Sequence, residues 1–488
     1  MKMKTIRIFT IIALTVLYSS CDSDKYLDLY PKTTITEGNF YKTLEQLKQA
    51  HDNIYFQLGR MYEAGSVPCV YGELLSDNTH IPYQLGGTPV DEWISNFLLQ
   101  PENPRFQEMW DNSYNSLYII NTVIHHLEIT QVEMAESLKT QMIAEAKLIR
   151  SLVYFNMVRA WGSIPYITKK ISPTESYSYL RESPDVIYPQ LIADLTFAKN
   201  NLPASYTGNN VGRVTRFAAA AILAKIHLTR NDKNAAKTEL EFIVNSGQFS
   251  LDANNNGVVD VNDYYHIFAP ATKNSKSSIL EAQYLAGANA RNSNHQAQYS
   301  PYHIAFNLPG ATGAFRGGGL NTPTPDLASE FEQGDPRLEI SRIPGFLNQT
   351  TGLFIDYAWN KKFYDPQWQY PGQNVEIIRY ADILLMYAEV TGSAQYLNMV
   401  RARVGLPAYG SAGYPSALYP TLELAIEHER RMELCLEFHR FFDLVRTGRA
   451  VAVLKAKGLD ITENKLLLPI PQYAIDVNTG LTQNPGYN

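Results

Sequence analysis

Chemistry first shows in the run DANNNGVVDVND, residues 252 to 263. Its spacing fits a calcium loop, with Asp252, Asn254 and Asn256 at positions 1, 3 and 5, Gly257 at 6 and the Val258 carbonyl at 7. Asp260 falls at position 9, which usually acts through water, and Asp263 at position 12. Asp at 12 shortens the bidentate arm that Glu supplies, and no good helix precedes the loop. The expected affinity is therefore the weak one of extracellular modules, and the expected role is a structural brace. The alternative is an Asn/Gly turn with solvated acids.

A second pattern lies in LLSDNTHIPYQLGGTPVDEWISNF, residues 74 to 97. A sugar offers an apolar ring face and a rim of hydroxyls, so its receptor needs aromatic platforms and polar side chains on loops. Trp93 and Asn96 are three apart, so ring and amide share one side of a helix and can address one ligand. The competing reading is a Trp93 packed against the scaffold. A second wall is expected from Tyr299, Tyr302, Phe315 and Arg316, with Gly317 to Gly319 permitting close backbone approach. Tyrosine excess points the same way, with 32 Tyr against 20 Phe and 5 Trp.

Catalytic patterns are missing. There is no His-Glu-x-x-His, no Gly-x-Ser-x-Gly, no P-loop and no Cys-x-x-Cys, and the adjacent rings of His125 and His126 face different ways. A binding protein rather than an enzyme is expected.

The N-terminus says where such binding takes place. Lys2, Lys4 and Arg7 precede an apolar run from Ile8 to Tyr18, which is signal-peptide length and too short to span a bilayer. Ser19-Ser20-Cys21 resembles a bacterial lipobox, whose cysteine is lipidated and becomes residue one of the mature chain. Asp22-Ser23-Asp24 resembles the export signal of lipoproteins on the outer face of the outer membrane. Removing the three basic residues of the signal takes the formal charge from −6 to −9, which argues against nucleic acid as partner. With Cys21 acylated, Cys69 and Cys435 form no disulfide framework, and Cys435 lies in an apolar stripe expected in the core.

These residues must be positioned by helices and loops. Apolar residues spaced three and four apart predict helices at about 44–58, 106–127, 134–161, 184–201, 216–230 (capped by Thr215), 233–246, 377–390, 396–404 and 422–446. The last is dense in charge, and its Glu and Arg residues are expected to pair at helical spacing. From 249 to 372, Gly, Pro, Asn and Ser dominate and only short strands such as 278–284 are expected.

Several segments in order then resemble the SusD/RagB family: YLDLYPKTTITEGNFY, LIRSLVYFNMVRAWGSIP, TPTPDLASEFEQGDPR, IRYADILLMYAEV, ERRMELCLEFHRFFDLVRTGR and LLLPIPQYAID. The link from Glu389 to Tyr396 is shorter than the family's. The resemblance implies a mostly α SusD-like fold, with four tetratricopeptide-like helix pairs supporting a loop-rich ligand face. It implies a signal peptide at 1–20 and one body at 21–488, with an N-terminal helical part (21–247), a loop-rich insert (248–375) and a C-terminal part (376–488). It also implies a surface lipoprotein, anchored through Cys21, that captures oligosaccharide for a SusC-like TonB-dependent transporter. A peptide-binding role, as in the RagB branch, and a structural lid on the transporter are the alternatives. The Trp93–Asn96 spacing resembles the family's starch-binding pair, and Asp77 falls near its acidic contact. Tyr83 stands where an arginine partner is expected, which puts starch itself in doubt.

Overall fold

Thr43 opens the first helix, α1 (Leu44–Arg60), with a reciprocal cap: its hydroxyl accepts the Gln46 N–H while the Gln46 side chain returns to the Thr43 N–H. The structure, a computed structural model, describes residues 40–82, 88–301, 317–348 and 351–487. After α1 come α2 (Pro89–Ser95), α3 (Pro104–Ile129), α4 (Glu136–Trp161), α5 (Pro184–Asn201), α6 (Arg216–Thr229) and α7 (Lys233–Val244). Proline at the first turn of α2, α3 and α5 costs no backbone hydrogen bond there. Side chains of Asn103, Thr215 and Asp232 cap α3, α6 and α7. Helices α3 to α7 pack in chain order, each against the next.

The C-terminal part adds α8 (Val261–Ile267), α9 (Tyr380–Thr391), α10 (Ala394–Arg403), α11 (Leu422–Leu434), α12 (Arg440–Arg446) and α13 (Gln472–Val477). Helix α9 packs on α7, so the C-terminal helices continue the same stack. One apolar cluster runs from Leu47 to Tyr487. The tail returns to α4, where the Leu468 N–H donates to the Ala160 carbonyl at 2.7 Å and Trp161 Nε1–H to Pro469 at 3.1 Å. Among the described residues no helix is long and apolar enough to cross a membrane.

Two predicted helices are corrected. Residues 377–379 belong to the strand Val375–Arg379, which pairs antiparallel with Ser278–Ala282, and α9 begins only at Tyr380. The segment 422–446 is two helices, not one. Between them Leu436 and Phe438 take left-handed φ values of 66° and 69°. The buried Glu73 carboxylate accepts both freed N–H groups, from Leu436 at 3.0 Å and Phe438 at 2.9 Å. Burial pushes Glu73 up to about 7, against these hydrogen bonds and that from Asn78. Gly72 permits this contact, since a Cβ there would stand 2.2 Å from the Phe438 carbonyl oxygen.

Most charges of 422–446 are buried, and most of their partners lie far off in the chain rather than one turn along the helix. Glu433 holds Arg337, Arg379 and Arg403; Glu437 holds Lys362 and Arg379; Arg430 joins Asp382 to Asp443. Despite its burial, Glu433 is held well below the usual carboxylate range by the three guanidiniums. Such a network fixes register as much as it adds stability, because a misplaced segment leaves a buried charge unpaired.

Candidate functional site

Helix α2 is a short platform with two unlike sides. Ile94 and Phe97 are buried beneath it, and the Phe97 ring lies 6.0 Å from that of Phe441. Asp91, buried at its first turn, takes a two-pronged contact from Arg105 at 2.9 and 3.1 Å and the Thr88 hydroxyl. Asn103 Nδ2 donates to the Val90 carbonyl at 2.9 Å. With α2 clamped to the start of α3, Trp93 and Asn96 face outward.

Trp93 is 44 % exposed, and among the described residues no aromatic ring stacks on it. Asn96 ends the helix, its Nδ2 donating to the Glu92 carbonyl at 3.0 Å and its side chain exposed. Ring and amide therefore stand on one solvent-facing ledge. Trp93 is not wholly packed into the scaffold.

Two of the other sequence-predicted contacts are corrected. Asp77 is buried, its carboxylate bound by Arg440 at 2.8 and 3.0 Å and approached by Arg431 at 3.2 Å. Although burial opposes it, these guanidiniums hold its carboxyl down at about 2. It has no face toward a ligand. Tyr299 is wholly buried, packed on His295, Phe363 and Phe438, with its hydroxyl donating to Cys69 Sγ at 3.3 Å. It is core, not a second wall. The close approach at Gly317 is to the chain itself, since a Cβ would stand 2.1 Å from the Ser300 carbonyl oxygen. Tyr83, Tyr302, Phe315, Arg316 and Cys21 lie outside the described residues.

The 252–263 loop is a tight turn in which its own side-chain oxygens accept backbone N–H groups. Asn255 and Gly257 take φ values of 57° and 87°, curling the chain so that Asp252 accepts the N–H of Asn256 at 3.0 Å and of Gly257 at 2.8 Å. Asp263 accepts the N–H of Asn254 at 3.1 Å and of Asp260 at 2.9 Å. Asp260 is turned to the start of α8, accepting the N–H of Asn262. Among the described residues no three His, Cys, Asp or Glu side chains are gathered to hold a metal. A cation here would rest on Asp252, Asp263, the amide oxygens of Asn254 and Asn256, and the Val258 carbonyl, all hard donors that suit calcium.

Arg105 and Asn103, which set the ledge, escaped the sequence reading: fourteen residues separate Arg105 from Asp91, and no local spacing signals the pair. A cavity of about 600 Å³ lies elsewhere, between α9, α11 and α12. Its Arg430, Arg446, Glu389 and Asp443 are already paired, and neither Trp93 nor Asn96 lines it.

A family profile described as "Starch-binding associating with outer membrane" matches residues 25–228, and one described as "SusD family" matches residues 347–487. The chain is similar to SusD-like protein P38 of Formosa agariphila, at 27% identity over 527 residues with 100% of each chain covered. It is also similar to SusD-like protein P25 of the same organism, at 25% identity over 544 residues with 99% of each covered. Among solved structures it resembles a laminarin binding SusD-like protein, with a TM-score of 0.75, 27% identity, and 92% of this chain and 100% of the other covered. Surface glycan-binding protein A from Bacteroides thetaiotaomicron, solved with laminarihexaose, shares the fold at 22% identity and a TM-score of 0.73, with 91% of this chain and 99% of that one covered.

Proposed function

We propose, for a chain that belongs to the SusD-like family, that it is a non-catalytic receptor that holds oligosaccharide on the Trp93–Asn96 ledge. The observation that carries this is the exposed Trp93 ring, unstacked among the described residues, beside an exposed amide, on a helix clamped by Asp91 and Arg105. The ring receives the apolar face of a sugar, and Asn96 meets a hydroxyl at its edge. Rigid anchoring matters because a platform already in place loses little freedom on binding. The similarity to a laminarin binding SusD-like protein makes a laminarin-type glucan the first ligand to try. Around the ledge we place the wider setting: acylation at Cys21, residence at the outer membrane facing outward, and delivery of the glycan to a SusC-like TonB-dependent transporter. The 252–263 loop serves as a calcium brace, away from any chemistry.

Calorimetry against a panel of oligosaccharides, with Trp93→Ala as the variant, tests the ledge. The exposed part of the ring amounts to roughly 110 Å², and a sugar covering one face buries about half of it. At about 25 cal/mol per Å² that is about 1.4 kcal/mol, a roughly tenfold loss of affinity. Unchanged binding in the variant removes the ledge from the site.

A further inference from the structure

Away from the ledge, a cleft of about 390 Å³ opens between α3, the segment 165–179 and α13. Its floor is Trp110, packed edge-on against Trp161 with ring centroids 5.3 Å apart. Along α3 the aromatic residues 110, 114 and 118 recur every fourth position, one stripe of the helix. Tyr114 is committed, its hydroxyl donating to the Pro165 carbonyl at 2.9 Å. Three further rings are not. Tyr118, Tyr177 and Tyr473 are 46 %, 50 % and 54 % exposed, and their phenol oxygens make no hydrogen bond with any described residue. They come from three separate segments, and the walls are tied, since Asn478 Nδ2 donates to the Tyr177 carbonyl at 3.3 Å.

Such rings around a concave floor, each with a hydroxyl at its edge that no described residue takes up, suit a pyranose better than a flat protein surface. The volume is that of a small-molecule site. The chain that leaves the ledge reaches the edge of the cleft. The Gln472 N–H at the head of α13 donates to the Pro101 carbonyl at 3.0 Å, which puts Tyr473 beside the chain leaving α2. Trp93 and Pro101 are eight residues apart, at most about 29 Å even fully extended. Leu98, also exposed, lies between them in sequence.

We propose that this cleft is a second sugar-binding subsite, which engages the same glycan polymer farther along its length. The inference rests on the glycan reading of the ledge and adds the class of ligand, a chain long enough to span both. A second contact on one polymer acts at high effective concentration, so its effect appears for long chains and not for short ones.

The test compares a trisaccharide and the polymer of the panel's best binder, laminarin first, on the intact protein and on Tyr118→Ala/Tyr473→Ala. Both side chains are about half exposed, and an unchanged thermal melt of the double variant, with Tyr473→Phe as the conservative partner, shows that the fold is kept. The expected result is unchanged trisaccharide affinity and a loss of at least tenfold for the polymer, while Trp93→Ala weakens both. Retained polymer affinity in the double variant overturns the inference and leaves the cleft to a protein partner, with the ledge intact. Equal losses for both lengths overturn it too, since the cleft is then no separate subsite. If the unmodified protein binds no glycan of the panel, the reading of the ledge fails first and takes this inference with it.

Discussion

Asp77→Asn separates a structural carboxylate from a ligand contact. The substitution keeps the shape and removes the charge that Arg440 grips at 2.8 and 3.0 Å. Among the described residues Arg440 then keeps an ion pair with Glu427, at 3.7 Å, while Arg431 retains Asp326 at 2.8 Å and Glu330 at 3.4 Å. Breaking a buried pair by removing one partner costs about 3–5 kcal/mol. Arg431's remaining partners place this case at the lower end. A second route starts from the folded carboxyl at about 2 against 3.8. That difference is worth about 2 kcal/mol at neutral pH. The two routes agree on roughly 2–3 kcal/mol.

Unfolding entropy near 2.1 cal/mol/K per residue makes 1 kcal/mol worth about 1 °C for a body of this size unfolding as one unit. The melting temperature of Asp77→Asn should therefore fall by about 2–3 °C at pH 7. The sign with pH follows from a depressed carboxylate: its contribution is whole above the unfolded value and disappears as pH falls through the folded one. The gap between the two proteins should hold from pH 8 to 5, shrink to about half at pH 3 and close near pH 2. Thermal melts across pH, with calorimetry against glycan at pH 7, make the measurement. The reasoning is refuted by an unshifted melting temperature, or by a tenfold loss of glycan affinity in a variant that stays folded.

Glu376 is buried, shares Ser278 with Glu281, and is pushed well above the carboxylate range by burial and then by Glu281. Stability from its proton is whole below the unfolded value and lost as pH rises, so Glu376→Gln should melt higher than the parent at pH 8 and no higher at pH 4; the reverse order sinks this. Gly72→Ala drives a Cβ to 2.2 Å from the Phe438 carbonyl and should cost about 3 kcal/mol, read as a denaturant midpoint; a neutral result means the α11–α12 break moves freely. Calcium at 10 mM, against a dissociation constant of about 0.1–1 mM, should add about 1.4–2.7 kcal/mol, raising the melting temperature by about 1–3 °C. Asp252→Ala should abolish that rise, and a parent protein indifferent to calcium removes the brace.

What was legible in the sequence, and what was not, divides by the reach of the cause. The helices 184–201 and 216–229 stand within a residue of their predicted ends because proline and a threonine cap are local signals. The outward stance of Trp93 follows as locally, from Ile94 and Phe97 turned inward. Residues 377–379 look helical by the apolar run that continues into α9, but their strand partner lies nearly a hundred positions earlier. The break at 435–439 is farther still from its cause: the N–H groups of Leu436 and Phe438 are satisfied by Glu73, 363 and 365 residues upstream. Asp77 was misread for the same reason. Its position falls near that of the family's acidic contact, and only the folded chain brings Arg440, 363 positions later, against both its oxygens. Much of the buried charge in this protein is paired at long range. A carboxylate in such a chain becomes a candidate for ligand contact only once every arginine that folding brings to it has been counted.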